Sequence, residues 1–267
     1  MTDASSACER ALIFAEKSCD EFATWRAQTL VAGRRPSSCP LPDGIVQRAD
    51  GSLAASASPS GPSAASGSSD LGALLFVVGA LDDVRGLHLP VVENACRFLE
   101  ATQNEDGSWG DTGATEDEQI FWTGMLAGTF GKTRCARASM LGAAGDYLAE
   151  RFTPDRVQGF AWHAIAAYTH TFANVPHEAC DAILQWTGRE LTRGFRTGRF
   201  DAVRTARVLL YGDAPALPGA RLDASDVIGQ LLSEQEEDGG WLRLEDPSPG
   251  SRLAHSLDAL AALVRFG

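Results

Sequence analysis

Lysine is almost absent from this 267-residue chain. Lys17 and Lys132 are the only lysines, so arginine carries nearly all of the positive charge. Chemistry that needs a lysine amine, such as Schiff-base formation, therefore has few candidates. Acidic residues outnumber basic ones by 35 to 23, which gives a formal net charge of −12. Nucleic acids and anionic membranes attract a basic stripe, and because the sequence has none we expect neither partner.

The sequence also lacks closely spaced cysteines and long apolar runs. Its six cysteines are scattered, with no Cys-x-x-Cys pair, so we expect reduced thiols, no metal site and no disulfide framework. No stretch of about 20 apolar residues occurs, and charges interrupt the N-terminal segment. We therefore expect no integral membrane segment, no secretory signal and a cytoplasmic location.

Three regions differ in composition. Residues 1–32 carry apolar residues at helical spacing and stop at Gly33, which predicts a leading helix. Residues 33–69 end in a tract of Ser, Ala, Gly and Pro. This tract has too little apolar surface to offset the entropy of ordering, so we interpret the region as a flexible linker or surface loop. Residues 70–267 predict a single all-α domain, because Ala- and Leu-rich segments alternate with breakers and none shows the alternation typical of a strand.

The helical segments of the third region begin and end at residues with a local reason to do so. Prolines lie near several predicted starts and glycines near several predicted ends. The predicted segments are 70–84, 88–103, 115–130, 133–152, 155–173, 176–193, 199–211, 222–236 and 250–266.

Two of these segments end in nearly the same sequence. The two stretches read Phe98-Leu99-x-x-x-Gln103-Asn-Glu-Asp106-Gly107-Ser-Trp109 and Leu231-x-x-x-Gln235-Glu-Glu-Asp238-Gly239-Gly240-Trp241. Asp-Gly favours a tight turn, the indole can cover the preceding helix end, and the glutamine amide can pair with free backbone groups. The repeat predicts stacked helical hairpins joined by such turns.

At these residues the chain resembles the QW-repeat family, which includes squalene-hopene, oxidosqualene and class II diterpene cyclases, with protein prenyltransferase β subunits as relatives. The resemblance covers residues 70–267. It implies an α/α toroid, in which inner helices surround a cavity and outer helices form a second ring. The implied inner helices are the segments 70–84, 115–130, 155–173, 199–211 and 250–266.

The resemblance also implies a catalytic acid. Class II cyclases protonate an alkene or epoxide with the middle acid of an Asp-x-Asp-Asp motif, which is absent here. The nearest match, Thr115-Glu116-Asp117-Glu118, makes Asp117 the predicted general acid, assisted by Glu116 or Glu118. The competing interpretation is a helix cap, because Thr-x-x-Glu is a capping box.

Asp82 and Asp83 are further candidate catalytic acids at the end of the first implied inner helix. Their sequence lacks the third acid of an Asp-Asp-x-x-Asp magnesium motif, and a solvated helix end is the alternative interpretation. His255 matches the position of the zinc histidine in the prenyltransferase relatives, but glutamates replace the other ligands. The resemblance therefore implies no metal and no other cofactor.

Candidate substrate-binding residues lie on the implied inner helices. Aromatic rings can shape a lipophilic cavity and stabilise carbocations, although core packing is the alternative. His255 and Asp258 are three residues apart, so they can meet on one helix face. The candidates are Phe121, Trp122, Phe160, Trp162, His163, Tyr168, His255 and Asp258.

The sequence thus predicts a terpene-cyclase-like enzyme. It would bind a lipophilic, isoprenoid-type substrate in the toroid cavity and cyclise or isomerise it by metal-independent protonation. Class II sites of the family lie between two helical domains, so a homodimer or a second subunit would complete the site if the toroid's own cavity does not. The alternatives are a noncatalytic binding protein on the same toroid and a toroid enzyme with a nonterpenoid substrate.

Overall fold

The computed structural model describes residues 3–55, 67–111, 113–159, 161–242 and 248–267. These residues are mostly helical, as the sequence predicts. The elements are α1 (Ala4–Glu16), α2 (Glu21–Ala32), β1 (Ile45–Gln47), β2 (Leu53–Ala55), α3 (Gly67–Asp83), α4 (Pro90–Thr102), α5 (Glu116–Gly131), α6 (Ala138–Arg151), α7 (Pro154–Val157), α8 (Trp162–Asn174), α9 (Cys180–Arg196), α10 (Ala202–Tyr211), α11 (Ala224–Glu234) and α12 (Pro249–Phe266).

Two predicted helices are each divided in two. The leading helix is α1 followed by α2, because Cys19 has a positive φ of 60° and the Asp20 carboxylate caps α2 by accepting from the Ala23 N–H at 2.8 Å. Both α1 and α2 pack on α12, so they belong to the helical body. The predicted segment 155–173 is α7 and α8, separated at Gly159, which has φ of 69°.

The region predicted to be a flexible linker contains an ordered hairpin. Strands β1 and β2 pair antiparallel, with Val46 opposite Ala54. Leu53 and Ala54 are fully buried, and β2 packs against α3. Residues 56–66, which hold most of the small-residue tract, lie outside the described residues.

This hairpin is a third copy of the glutamine turn, in the sequence Gln47-Arg-Ala-Asp50-Gly51-Ser-Leu53. In all three copies the glutamine amide donates to the carbonyl of the turn glycine and to a carbonyl in the first turn of another helix. The pairs of acceptors are Gly51 and Val91 for Gln47, Gly107 and Met140 for Gln103, and Gly239 and Ala7 for Gln235, at 2.9–3.2 Å. The third of these turns joins the end of α11 to α1 at the start of the chain.

The turn glycines are required by space and by backbone conformation. Gly51, Gly107 and Gly239 have φ of 93°, 88° and 94°. A Cβ at Gly51 would lie 2.1 Å from the Asn94 carbonyl oxygen, and the other two would lie 2.3 Å from equivalent oxygens. Only glycine fits a turn that presses so closely on the neighbouring helix.

The tryptophans of two copies close the preceding helix end, as the sequence predicts. The indole N–H of Trp109 donates to the Leu99 carbonyl at 2.9 Å, and Trp241 donates to Leu231 at the same distance. Both indoles are about 1% exposed. In the hairpin copy, Leu53 occupies the equivalent buried position, and its side chain has no N–H to donate.

Six helices contact one another in an order that returns to its start. Helix packing runs from α3 through α5, α8, α10 and α12 to α2. The return from α2 to α3 is a contact between the Phe22 and Phe76 rings, whose centroids are 5.5 Å apart. Of the other helices, α1, α6, α9 and α11 each pack on two successive members of this series. We call α2, α3, α5, α8, α10 and α12 the six contacting helices.

Candidate functional site

Two cavities lie among the six contacting helices. The first, which we call the aromatic pocket, has a volume of about 300 Å³. It is lined by residues of α2, α3, α5, α10 and α12, namely Arg26, Gly72, Leu75, Phe76, Gly79, Ala80, Phe121, Trp122, Arg207, Tyr211, Ala254 and Asp258.

Aromatic rings form much of the wall of this pocket. Phe121 and Trp122 meet edge to face with centroids 5.4 Å apart. Phe76, which also lines the pocket, is 49% exposed. Gly72 and Gly79 of α3 line the pocket without a side chain. An added Cβ would lie 3.7 Å from the Trp122 ring at Gly72 and 3.9 Å from the Arg207 guanidinium at Gly79, which are ordinary contact distances.

A group of four charged side chains, which we call the Asp83 cluster, forms one end of the pocket. Arg26, Asp83 and Arg207 are buried, and the Asp258 side chain is 30% exposed. Asp83 accepts from Arg26 at 2.5 Å and from Arg207 at 2.6 Å. Asp258 accepts from Arg26 at 2.8 Å. Since two arginines face two aspartates, the cluster is neutral, and each buried charge has an opposite partner as burial requires.

The arginines keep Asp258 ionised. Burial acts to raise the pKa of Asp258, but the charges of Arg207 and Arg26 outweigh it and lower the pKa below its ordinary value. Burial also acts to lower the pKa of Arg207, and the charges of Asp83 and Asp258 more than reverse this. Asp258 is therefore an anion near neutral pH and does not supply a proton to the pocket.

The second cavity, which we call the basic cleft, has a volume of about 1050 Å³. Its walls come from the C-terminal ends of α2, α3, α5, α10 and α12, the loops that follow them, and the first turn of α4. Asp83 lines the cleft, whereas Arg26, Arg207 and Asp258 line the aromatic pocket. The Asp83 cluster therefore separates the two cavities.

Asp82 faces the basic cleft and differs from the acids of the cluster. Its carboxylate accepts from the Lys132 ammonium at 2.7 Å. Burial nevertheless raises the pKa of Asp82, assisted by the charge of Asp83 and opposed by Lys132. Of the five predicted catalytic acids, Asp82 has the environment that most favours the protonated form.

The predicted acid triplet on α5 lies at the surface. The Asp117 side chain is 89% exposed and pairs with Arg156 at 2.9 Å, and Glu116 pairs with the same guanidinium. Glu118 completes the capping box with Thr115, whose N–H and hydroxyl lower the pKa of Glu118 by hydrogen bonding. The alternative interpretation as a helix cap is thus confirmed, and the triplet lacks the dry surroundings that hold a proton on a general acid.

Three of the predicted substrate-binding residues, Phe121, Trp122 and Asp258, meet in the aromatic pocket. His163 does not line the pocket; its ring meets the Phe121 ring edge to face, with centroids 5.4 Å apart. Phe160 lies outside the described residues.

Three further candidates occupy other surroundings. Tyr168 is fully buried between Phe152 and Phe172, where burial raises the pKa of its hydroxyl. The indole of Trp162 donates to the Arg204 carbonyl at 3.2 Å, and His255 lies 3.8 Å from the Asp201 carboxylate.

Sequence reasoning missed Arg26, Phe76 and Tyr211 among the residues that line the pocket. Arg207 stands between Ala206 and Val208 in an apolar stretch of α10, a pattern that indicates a buried cation. Its guanidinium lies over the Tyr211 ring, 4.8 Å from the centroid. Arg26 has no comparable signal, because its partners Asp83 and Asp258 are remote in sequence.

No protein-family model matches this chain, and no curated protein matches it. Among the described residues, no group of three or more His, Cys, Asp or Glu side chains is placed to hold a metal ion. Within the same residues, no helix combines the length and apolarity needed to cross a membrane. The two cavities are therefore the candidate functional sites.

Proposed function

We propose that the six contacting helices form the inner ring of a single α/α-toroid domain. The cyclic order of their contacts supports this arrangement. The three equivalent glutamine turns support it too, because each one joins a turn to the start of another helix in the same way. The bonds from Gln235 to Ala7 and Gly239 would then close the ring between the last and first helices.

We infer that the protein binds a lipophilic molecule of isoprenoid type in the aromatic pocket, without protonating it. The observation that carries this proposal is the combination of aromatic walls with a neutral, fully paired cluster at one end. Apolar walls with a few fixed polar groups are typical of small-molecule sites. Burying an apolar ligand there contributes about 25 cal/mol per Å² of surface removed from water.

We favour binding without catalysis over protonation because the carboxyl group that lines the pocket is ionised. Protonation of an alkene needs a carboxylic acid that keeps its proton near neutral pH. Arg26 and Arg207 hold Asp258 in the ionised form, and both also bond to Asp83. The aromatic rings of the pocket can thus contact an apolar ligand, and the neutral Asp83 cluster can orient a polar group at one end of that ligand.

Ligand binding is tested with farnesol as the probe, measured by native mass spectrometry and by quenching of tryptophan fluorescence. The decisive variant is Gly72→Leu, which places a side chain inside the pocket opposite Trp122. The matched control is Gly229→Leu on α11, where an added Cβ meets nothing within 4 Å. Both changes replace a helical glycine with leucine, so both should be tolerated by the fold.

Wild type and Gly229→Leu should bind one farnesol with equal affinity, and Gly72→Leu should lose binding by at least about tenfold. Equal binding by all three proteins would place the ligand elsewhere and contradict the proposal. Absence of binding to the wild type would contradict it directly.

Cyclisation or isomerisation by protonation is the second candidate, and Asp82 is the observation that favours it. Its raised pKa suits a proton donor, and it faces a cavity larger than the aromatic pocket. Polyprenols, polyprenyl diphosphates and their epoxides, incubated with the protein and analysed by mass spectrometry, test this function. Conversion that Asp82→Asn abolishes and Asp117→Asn retains would establish it.

A further inference from the structure

The basic cleft carries positive charges that its own carboxylates do not neutralise. The charged residues that line it are Arg34, Arg35, Arg85, Lys132, Arg134 and Arg265 on one side and Asp82, Asp83, Glu93 and Asp213 on the other. Asp82, Asp83 and Asp213 each pair with a base. Four arginines and Glu93 remain unpaired among the described residues, which leaves an excess of 4 − 1 = 3 positive charges in a chain of net charge −12.

Helix ends do not account for these arginines. The cleft lies at the C-terminal ends of several helices, and a negative helix end attracts a cation. A basic side chain that serves this purpose can donate to the last carbonyls of the helix, as Lys132 does toward the Leu210 oxygen at 3.5 Å. The side chains of Arg34, Arg35, Arg85 and Arg134 donate no hydrogen bond to any described residue, so their donors are available to a ligand.

Two loops bring three of the arginines together. Arg85 has a positive φ of 59°, a strained conformation for a residue with a side chain. Gly86 follows it and packs so tightly that an added Cβ would lie 2.8 Å from Leu81 and 3.2 Å from Pro36. Because Pro36 directly follows Arg34 and Arg35, this contact holds the two arginine-bearing loops side by side.

We propose that the basic cleft binds a small phosphorylated molecule, with Arg34, Arg35, Arg85 and Arg134 donating to its phosphate oxygens. A guanidinium presents paired N–H donors that match the oxygens of a phosphate group. The volume of about 1050 Å³ leaves room for an organic portion beside the phosphates. This site is independent of the lipophilic ligand, because none of the four arginines lines the aromatic pocket.

The test is calorimetric titration of the full chain with inorganic pyrophosphate, at low and at high salt. The decisive variant is Arg34→Gln/Arg35→Gln, and two matched controls are Arg189→Gln and Arg193→Gln on α9, outside both cavities. Pyrophosphate should bind the wild type and both controls equally, and should bind the double variant at least about tenfold more weakly. Added salt should weaken binding to the wild type, because the attraction is between exposed charges.

Arg85→Gly separates the loss of charge from damage to the fold. Glycine accepts the positive φ without strain, so this variant should melt no lower than the wild type while binding pyrophosphate more weakly. Three results would overturn the proposal: no binding of pyrophosphate to the wild type at low salt, unchanged binding by the arginine variants, or tighter binding of citrate than of pyrophosphate. Citrate separates a site for phosphates from a site for carboxylates.

Discussion

The aromatic pocket and the basic cleft share the Asp83 cluster as a partition, but their charges are arranged differently. On the pocket side, Arg26 pairs with Asp83 and Asp258, and Arg207 pairs with Asp83, at 2.5–2.8 Å. On the cleft side, four exposed arginines have no protein partner among the described residues. Charges that are buried and paired hold helices together, whereas charges that are unpaired around a cavity are available to a ligand.

The largest expected effect is a loss of stability when an ion pair of the Asp83 cluster is removed. Asp83→Ala leaves Arg207 buried without its closest partner, so the free energy of unfolding should fall by about 3–5 kcal/mol. Asp146→Ala is the matched control, because Asp146 is 72% exposed beside His177 and its loss should cost less than about 1 kcal/mol. Urea unfolding measures both, and equal losses would show that the cluster does not stabilise the fold.

A smaller effect is expected from removing a ring of the pocket wall. Trp122→Ala should weaken farnesol binding about tenfold, or about 1.4 kcal/mol, because it removes an aromatic contact surface. It should leave pyrophosphate binding unchanged. Trp186→Ala on α9, which lines neither cavity, should bind both probes like the wild type, and the comparison fails if Trp122→Ala alters both.

The two sides should also differ in how their acids respond to pH. The pKa of Asp258 is lowered in the folded protein. Its contribution to the free energy of unfolding is therefore fully present above the pKa of the unfolded state, and it is lost as the pH falls through the pKa of the folded state. The pKa of Asp82 is raised, so stability falls as the pH rises from the unfolded to the folded pKa.

Urea unfolding across the acid range separates these two slopes. Asp258→Asn should remove the loss of stability at low pH. Asp82→Asn should remove the fall in stability that accompanies rising pH. If both variants keep the wild-type pH profile, neither carboxyl has the shifted pKa that its surroundings imply.

Relief of strain at the cleft should give an effect of about 1 kcal/mol. Arg85→Gly removes a side chain from a positive-φ position, which should raise the free energy of unfolding by up to this amount. Gly44, with φ of 75°, offers the reverse change, and Gly44→Ala should lower stability by a similar amount. Thermal melting checks both, and a lower melting temperature for Arg85→Gly would mean that Arg85 stabilises the loop.

The smallest effect is expected on α5. Asp117→Asn removes one exposed charge beside Arg156, so stability should change by less than about 1 kcal/mol and farnesol binding should be unchanged. A large loss of farnesol binding by Asp117→Asn would show that Asp117 belongs to the functional site.

The sequence predicted those features that depend on local chemistry. Most helix ends, the capping box at Thr115 and the two tryptophan turns follow from short patterns, because their partners lie within a few residues. The breaks at Cys19 and Gly159 were not predicted. The third turn escaped prediction because Leu53 replaces the tryptophan and the small-residue tract beside it suggested a linker. The Asp83 cluster escaped prediction because Arg26 and Asp258, 232 positions apart, meet only in the folded chain.

The most direct test of two separate sites is calorimetry of both probes on both blocking variants. Gly72→Leu should lose farnesol binding and keep pyrophosphate binding, and Arg34→Gln/Arg35→Gln should do the reverse. This crossed pattern is the result expected from a lipophilic pocket and an anion site on opposite sides of the Asp83 cluster. Parallel loss of both probes in either variant would contradict the account, because it would mean that the two cavities act as one site.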